Sequence, residues 1–355
     1  MHTFLLRLKG AMSIKFFNKS KLKVSNMKTN IKNRQSRNKA LILSIPKFLI
    51  AGLTFSIFLL TAAMGAGNVN VSFLYNLSDF SGPVLLDWPN VYVDKQRDEI
   101  YVADTETRTI RVFNENGMEV HHFGDDGSLG TIIDMTVDSN GNIIALSKTV
   151  IKTEIILCNF RGEQISQIAL KNLPPDFSPF HPDRIIYREG RLYLAATELL
   201  KIVVADRNGL FEHGYDVAAI LGVSDTKRGE TDISGFTLDR EGNMLFTIPV
   251  LFSAYRLLPD SRIEVFGKSG SAPGQFGIVA GIATDEKGYI YISDRLKSVV
   301  MVFDNAFEFQ SEFGYRGYRP GNIIVPNDID IDNAGRVYVT QAGERGVSVF
   351  KISYN

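Results

Sequence analysis

A short hairpin pattern recurs along the chain and constrains its fold more than any other feature. Residues 281–294 read GIATDEKGYIYISD, and residues 329–341 read IDIDNAGRVYVTQ, which is nearly the same alternation around a turn. Each copy has an apolar strand, a closing residue, a turn and a second apolar strand. Six closing residues occur at 94, 138, 187, 239, 285 and 332, at intervals of 44 to 52 residues. A period of this length indicates a repeat architecture built from one supersecondary unit.

The turn of the hairpin has its own signature. Glycine stands three residues after five of the six closing positions, and it supplies the positive φ that a tight hairpin requires. These glycines are Gly141, Gly190, Gly242, Gly288 and Gly335. A third and a fourth strand follow the hairpin, as at 299–303 and 309–314. Four strands per repeat, with no amphipathic helix between them, predict an all-β propeller rather than an α/β sheet.

The last repeat lacks a fourth strand. It has strands near 327–332, 336–341 and 346–353, and no further strand follows in the sequence. Residues 71–77, VSFLYNL, read as a strand without a repeat of its own. We therefore predict that this segment is the outermost strand of the last blade, which completes a six-bladed propeller over residues 71–355. Closure of the ring hides the edge groups that an open sheet would expose.

The N-terminal part of the chain differs from the rest in charge. Residues 1–78 hold twelve Lys or Arg and no Asp or Glu, whereas residues 79–355 hold 27 basic and 39 acidic residues, a net charge of −12. An apolar segment at 48–66 follows the basic leader of residues 1–47 and ends in small residues, as export signals do. It is also nearly long enough for an uncleaved membrane anchor. In either case we expect the propeller to be periplasmic or extracellular.

The repeat resembles the NHL repeat. The resemblance lies in GIATDxxGYIYISD, followed by VVMVFD and FxxxFG, and it extends over residues 71–355. It implies a six-bladed propeller but no single activity, because NHL-like propellers include lyases, lactonases, RNA-binding domains, receptor sensor domains and scaffolds. Bacterial NHL-repeat proteins with this layout are often encoded beside envelope systems, so the resemblance implies an envelope partner.

The first strand of each blade lines the channel of a propeller. The residues four places before each closing residue should therefore form a ring at one mouth. They are Asn90, Asp134, Asp183, Gly235, Gly281 and Asp328. Three carboxylates and an amide can hold a hard cation, and calcium is the candidate. In the simpler interpretation these side chains cap strand starts and keep the channel hydrated, and no cofactor is required.

An enzyme is the alternative function. The resemblance implies two types, lyases with histidines on zinc and lactonases with a Glu, Asn and Asp set on a metal. Three histidines fall on predicted fourth strands, namely His121, His122 and His213, and only His181 lies near a channel mouth. A three-histidine zinc site is therefore not predicted. Asn90, Asp134 and Asp183 can mimic the lactonase set, but no glutamate is in register.

Aromatic and arginine side chains concentrate in the loops at the same mouth. The candidates for binding are Trp88, Phe177, Phe180, His181, Arg295, Tyr315, Arg316, Tyr318 and Arg319. Tyr, Trp and Arg are enriched where proteins bury a partner, although such rings also pack between blades. The net charge of −12 argues against nucleic acid. We predict a monomeric, non-enzymatic scaffold that binds an envelope protein or a surface polymer, with a metal-dependent lyase or lactonase as the alternative.

Overall fold

The computed structural model of the protein describes residues 69–149 and 152–354. These residues form six four-stranded antiparallel sheets and one small two-stranded hairpin. The basic leader and the apolar segment at 48–66 lie outside the described residues. Among the residues that are described, no helix has the length and apolar character needed to cross a membrane.

Each sheet is one blade, and in blades 1 to 5 the strands pair in chain order from the innermost to the outermost. Blade 1 contains Asn90–Asp94, Glu99–Asp104, Thr109–Phe113 and Glu119–Phe123. Blade 2 contains Thr131–Val137, Ile143–Lys148, Thr153–Cys158 and Gln164–Ile168. Blade 3 contains Arg184–Arg188, Arg191–Ala196, Lys201–Asp206 and Phe211–Asp216.

The second half of the ring repeats this plan. Blade 4 contains Phe236–Leu238, Met244–Ile248, Ser253–Leu257 and Ile263–Phe266. Blade 5 contains Val279–Thr284, Ile290–Asp294, Val299–Phe303 and Phe309–Gly314. Blade 6 contains Pro326–Ile331, Arg336–Gln341, Val347–Tyr354 and, as its outermost strand, Val69–Asn76.

Short elements occupy the connections. The two-stranded hairpin is Ser78–Asp79 with Gly82–Pro83. The 3₁₀ helices are Pro175–Phe177, Thr197–Leu199 and Pro249–Leu251. Two short α-helices, Val217–Leu221 and Asp225–Arg228, lie between blades 3 and 4.

The ring closes by joining the two ends of the described chain, as the sequence predicts. Val69–Asn76 pairs antiparallel with Val347–Tyr354, with Val69 opposite Tyr354 and Asn76 opposite Ser348. The Tyr354 hydroxyl also contacts Asp285 of blade 5, and its ring stacks on Tyr289 at 4.4 Å. These contacts fasten the outer part of blade 6 to the neighbouring blade.

The hydrophobic core lies between neighbouring blades. The second strands of blades 4 and 5, Met244–Ile248 and Ile290–Asp294, are buried along their whole length because other sheets cover both faces. The fourth strands are more exposed, and Gln164–Ile168 has four exposed residues out of five. Apolar area removed from water stabilises the fold by roughly 25 cal/mol per Å², so the inner strands carry most of this stabilisation.

Candidate functional site

The channel is ringed by matched residues of the six first strands. In blades 2, 4, 5 and 6 the ring residue lies three places before the last paired residue of the first strand. In blades 1 and 3 the ring residue is the first residue of the first strand, which occupies the equivalent place. The ring is Asn90, Asp134, Arg184, Gly235, Gly281 and Asp328. Arg184 thus stands where the sequence predicted Asp183, and its positively charged guanidinium replaces one of the predicted calcium ligands.

The cause of this difference is the turn of blade 3. Glu189 and Gly190 both have positive φ, 52° and 82°, and Arg188 pairs directly with Arg191. This is a two-residue hairpin loop, whose two central residues both need positive φ. The other glycine-containing turns are longer, so counting three residues back from the glycine points one residue too early in blade 3.

Asp183 is turned toward its own blade. Its carboxylate accepts hydrogen bonds from the hydroxyl of Thr197 at 2.7 Å and from the Thr197 backbone N–H at 3.3 Å. The second oxygen, Oδ1, is buried and has no hydrogen-bond partner among the described residues. Asp183 therefore supports the end of the second strand and does not join the other ring carboxylates.

The carboxylates in the channel bind backbone groups of the next blade. Asp134 accepts from Ile185 N at 2.8 Å, and Asp328 accepts from Val91 N at 2.9 Å. Two residues further along the strand, Asp330 of blade 6 accepts from a blade 1 backbone N–H at 2.7 Å. The innermost strands have an edge with no further strand beside it, and buried N–H groups need acceptors. The channel carboxylates thus satisfy backbone N–H groups at the strand edge of the next blade.

The two ring glycines allow the other blades to approach more closely. A Cβ on Gly235 would lie 2.5 Å from the Ala280 carbonyl oxygen, and one on Gly281 would lie 2.6 Å from the Asn327 carbonyl oxygen. At Gly281 a hydroxyl links the two blades, since the Ser293 hydroxyl accepts from Gly281 N at 2.8 Å and donates to Asn327 O at 2.7 Å. The ring is therefore charged on one side and closely packed on the other.

Burial raises the pKa values of the carboxyl groups in the channel. Burial raises the pKa of Asp134 to about 7, with Arg184 opposing the rise and Asp328 adding to it. Burial also raises the pKa of Asp330 to about 6, against the opposing effect of Lys95. The pKa of Asp328 is raised for the same reason. Part of the carboxylate set is therefore protonated near neutral pH, which weakens it as a cation site.

A cavity of about 450 Å³ occupies the channel. It extends from Asp134, Arg184 and Asp328 to the turns that join first and second strands, such as those at Ser139 and Glu286. Across the part of the chain that the structure describes, no group of three or more His, Cys, Asp or Glu side chains is placed to hold a metal ion. The calcium site stays a prediction, and the geometry supplies no ligand set for it.

The histidines do not converge. His121 and His122 lie on Glu119–Phe123 and His213 lies on Phe211–Asp216, which are the outermost strands of blades 1 and 3. His181 is exposed in the connection between blades 2 and 3. The predicted placement of His121, His122 and His213 on fourth strands is confirmed.

One face of the propeller, here called the loop face, carries most of the exposed apolar surface. It consists of the connections between blades and those between second and third strands, which antiparallel pairing brings to the same end. The hairpin at 78–83 is not included, because Ser78 pairs with Met118 in a turn at the other end of blade 1. Among the described residues, seventeen large hydrophobic side chains are exposed, and ten lie on this face. The ten are Leu85, Trp88, Leu199, Val250, Leu251, Phe252, Ile278, Leu296, Tyr315 and Tyr318.

Several predicted binding residues meet on the loop face. The Arg295 guanidinium lies over the Trp88 ring at 5.6 Å, and the Trp88 indole N–H donates to Val325 O at 3.2 Å. Tyr315, Arg316, Tyr318 and Arg319 are exposed in the connection between blades 5 and 6. Burial, followed by repulsion from Arg184, lowers the pKa of Arg295.

Phe177 and Phe180 are not part of this group. Phe180 is buried in the core between blades 2 and 3, with 8% of its surface exposed. Phe177 is half-buried, and it packs against Gly214 and, at 6.1 Å between ring centroids, Phe211. For these two phenylalanines the alternative interpretation, packing between blades, describes their environment.

Sequence reasoning missed the aliphatic members of the loop face. Leu85 and Leu296 have 65% and 62% of their surface exposed. Leu296 stands between Arg295 and Lys297 directly after the second strand of blade 5, and an apolar residue between two cations in a loop was a usable signal. Arg345 was also missed, although it lies over the Tyr318 ring at 5.5 Å.

Comparison with known proteins supports the fold more than an activity. No family model matches the chain. The chain is similar to Protein brain tumor of Drosophila melanogaster, with 30% identity over 77 residues. These residues are 21% of this chain and 7% of that protein, so the similarity spans a small part of the relative.

Similar solved structures cover most of the propeller. One is a protein of unknown function from Bacteroides thetaiotaomicron, with a TM-score of 0.59 and 14% identity over 80% of this chain and 76% of that one. A gluconolactonase from Xanthomonas campestris has a TM-score of 0.51 and 12% identity over 82% and 93%. A streptogramin B lyase has a TM-score of 0.51 and 13% identity over 80% and 98%. At these identities the likeness shows the six-bladed propeller fold alone.

Proposed function

We propose that the protein is an exported propeller of the NHL-repeat type that acts as a non-enzymatic binding scaffold in the cell envelope. Its loop face docks an envelope protein or a surface polymer, and the propeller itself is a monomer. The apolar segment at 48–66 directs export, either as a cleaved signal or as a retained membrane anchor. The function requires no cofactor.

The observation that carries this proposal is the concentration of exposed apolar side chains on one face. Ten of the seventeen such side chains among the described residues lie on the loop face, with Arg295 beside Trp88. Exposed hydrophobic side chains that gather on one part of a protein surface are a common mark of an interaction site. Arginine and aromatic residues are enriched at the energetic centres of such sites.

Site-specific photo-crosslinking in cells that make the protein naturally tests the proposal. A photoreactive residue in place of Tyr318, 81% exposed on the loop face, should form adducts with components of the envelope fraction. The matched control replaces Phe160, 65% exposed in a turn on the opposite face, and should form none. Equal adducts at both positions, or adducts only at Phe160, would contradict the proposal.

The alternative is a metal-dependent lyase or lactonase that acts at the channel. The motivation for testing it is the fold that the chain shares with a gluconolactonase and a streptogramin B lyase. The opposing observations are the scattered histidines and the guanidinium of Arg184 within the ring. Lactone hydrolysis that depends on added calcium or zinc and is lost in Asp134→Asn would favour the enzyme over the scaffold. A rise in melting temperature on calcium addition would by itself support a calcium site in the channel.

A further inference from the structure

The loop face is divided by charge. Five of its connections, 84–89, 267–278, 295–298, 315–325 and 342–346, together hold six basic and two acidic residues, a net of +4. We call these connections the basic sector. The remaining seven connections hold five basic and nine acidic residues, a net of −4. A sector of +4 on a propeller whose overall charge is −12 is a local reversal that favours an acidic ligand.

The basic sector is one continuous surface. Arg295 N donates to Ile278 O at 2.8 Å, and its guanidinium lies over Trp88. Trp88 is tied in turn to Val325 of the next connection. The Arg345 guanidinium donates to Asn322 O at 3.3 Å and lies over Tyr318. These contacts link each connection of the sector to a neighbouring one. Residues 84–86 are held separately, because the Gly346 N–H donates to Leu86 O at 2.9 Å.

Arg295 has unused donor capacity at the centre of this surface. Its side chain donates to Asn327 and Ser234 through Nη2 only. Nε is buried and has no hydrogen-bond partner among the described residues. A guanidinium offers five N–H donors in a fixed fork that matches a carboxylate. An arriving carboxylate would therefore find a partly desolvated guanidinium whose Nη2 is already paired, and Nη1 is the donor left to receive it.

Exposed aliphatic side chains share the basic sector with Arg295, and they decide the class of ligand. Leu85 and Leu296 are about two-thirds exposed, and Ile278 is 39% exposed. A hydroxyl-rich polysaccharide or a nucleic acid can stack on Trp88 and Tyr318, but it offers little to cover leucine and isoleucine. A protein segment with both acidic and apolar side chains can satisfy the guanidinium and bury the aliphatic rim.

We propose that the basic sector docks an acidic segment of a partner protein, with an Asp or Glu carboxylate against the Arg295 guanidinium beside Trp88 and apolar partner side chains over Leu85, Ile278 and Leu296. This inference rests on the proposed binding function and deepens it, because it names the chemistry of the partner. It also excludes the surface polymer as the occupant of this sector.

Trp88 provides a direct assay, because it is the only tryptophan in the chain. The probe is a short capped peptide of alternating Asp and Leu residues, and its matched control has Asn in place of Asp. With the full chain in a non-ionic detergent, the acidic peptide should shift the Trp88 emission in a saturable way. The Asn peptide should bind about tenfold more weakly, since charge-assisted hydrogen bonds are roughly twice as strong as neutral ones. Added salt should weaken the acidic peptide selectively.

Variants locate the binding energy, with anisotropy of a labelled peptide as the readout. Arg295→Gln should weaken binding by about tenfold, and Leu296→Ser, an exposed change that leaves the core intact, should weaken it severalfold. Arg207→Gln, an exposed change in a turn on the opposite face, should leave the affinity unchanged. Thermal unfolding of each variant confirms that the fold is retained, and Leu296→Ser remains informative if Arg295→Gln does not fold.

Three results would overturn the inference: equal affinity for the Asp and Asn peptides, undiminished affinity in folded Arg295→Gln and Leu296→Ser, or tighter binding of alginate or single-stranded RNA at Trp88. The outcome is separable from that of the proposed function. Peptide binding without envelope adducts at Tyr318 would retain the chemistry of the sector and refute the envelope role. Adducts at Tyr318 without affinity for the acidic peptide would do the reverse.

Discussion

Asp134→Asn should stabilise the protein above neutral pH and remove part of its pH dependence. Asp134 lies in the channel beside Arg184, and burial raises its pKa from 3.8 to about 7. The folded state therefore binds the proton more tightly than the unfolded state does. As the pH rises from about 3.8 to about 7, the unfolded chain ionises first, so the free energy of unfolding falls across this window and levels off above it.

The size of the effect follows from the raised pKa and from the hydrogen bonds. Because a tenfold change in proton affinity is worth about 1.4 kcal/mol, the rise in the pKa of Asp134 sets a ceiling of ~4 kcal/mol on the cost of its ionised form. The carboxylate accepts from Ile185 N at 2.8 Å and from Met135 N at 2.9 Å. Asn can satisfy only one of these donors, and the lost bond costs ~2 kcal/mol. The difference is a net gain of ~2 kcal/mol above pH 7 and a loss of ~2 kcal/mol in acid, where the wild-type carboxyl is neutral and only the lost hydrogen bond counts.

Urea unfolding at a series of pH values measures this difference. The wild-type curve should fall between pH 4 and pH 7, and the Asp134→Asn curve should fall less, since Asp330 with a pKa raised to about 6 retains its own contribution. Glu163→Gln, an exposed change in a turn of blade 2, is the control and should leave the wild-type pH profile unaltered. Identical pH profiles for wild type and Asp134→Asn, or a loss of stability that is the same at every pH, would refute the reasoning.

Three further predictions concern closure and packing of the ring. Deletion of Val69–Asn76 should abolish cooperative thermal unfolding and cause aggregation on size-exclusion chromatography, since it exposes the edge of the last strand. Tyr354→Phe should lower the free energy of unfolding by ~1 kcal/mol in urea, because a hydroxyl bonded to a carboxylate is lost; an unchanged midpoint would contradict this. Gly281→Ala should cost ~2 kcal/mol, because its Cβ would lie 2.6 Å from a backbone oxygen. Gly229→Ala, with nothing within 4 Å of its Cβ, is the control, and equal melting temperatures for the two would argue against close packing at Gly281.

The architecture was predictable because it repeats. A strand pattern and a turn glycine that recur along the chain give independent indications of the same unit, and the missing fourth strand of blade 6 identified Val69–Asn76 as its complement. The predicted start at residue 71 was two residues late. The apolar spacing alone does not define where a strand begins, because residues at strand ends are held by pairing with a distant segment.

The site was less predictable because it depends on single-residue register. One shortened turn in blade 3 moved Arg184 into the ring in place of Asp183, which changed the sign of one ring charge. Phe177 and Phe180 have the same composition signal as Trp88, yet they pack between blades, because burial of a loop side chain depends on neighbours that are remote in sequence. The charge division of the loop face was equally hidden, since its five basic connections are scattered from residue 84 to residue 346.

The pairing of Val69–Asn76 with Val347–Tyr354 also determines when the propeller can complete its folding. During synthesis, Val69–Asn76 must wait for Val347–Tyr354, with nearly the whole domain between them. Bringing such distant segments together carries a large loop-closure entropy, and long-range contacts of this kind slow folding. We therefore expect the propeller to resist proteases only once Val347–Tyr354 is available for pairing, so that an incompletely synthesised chain is open to degradation.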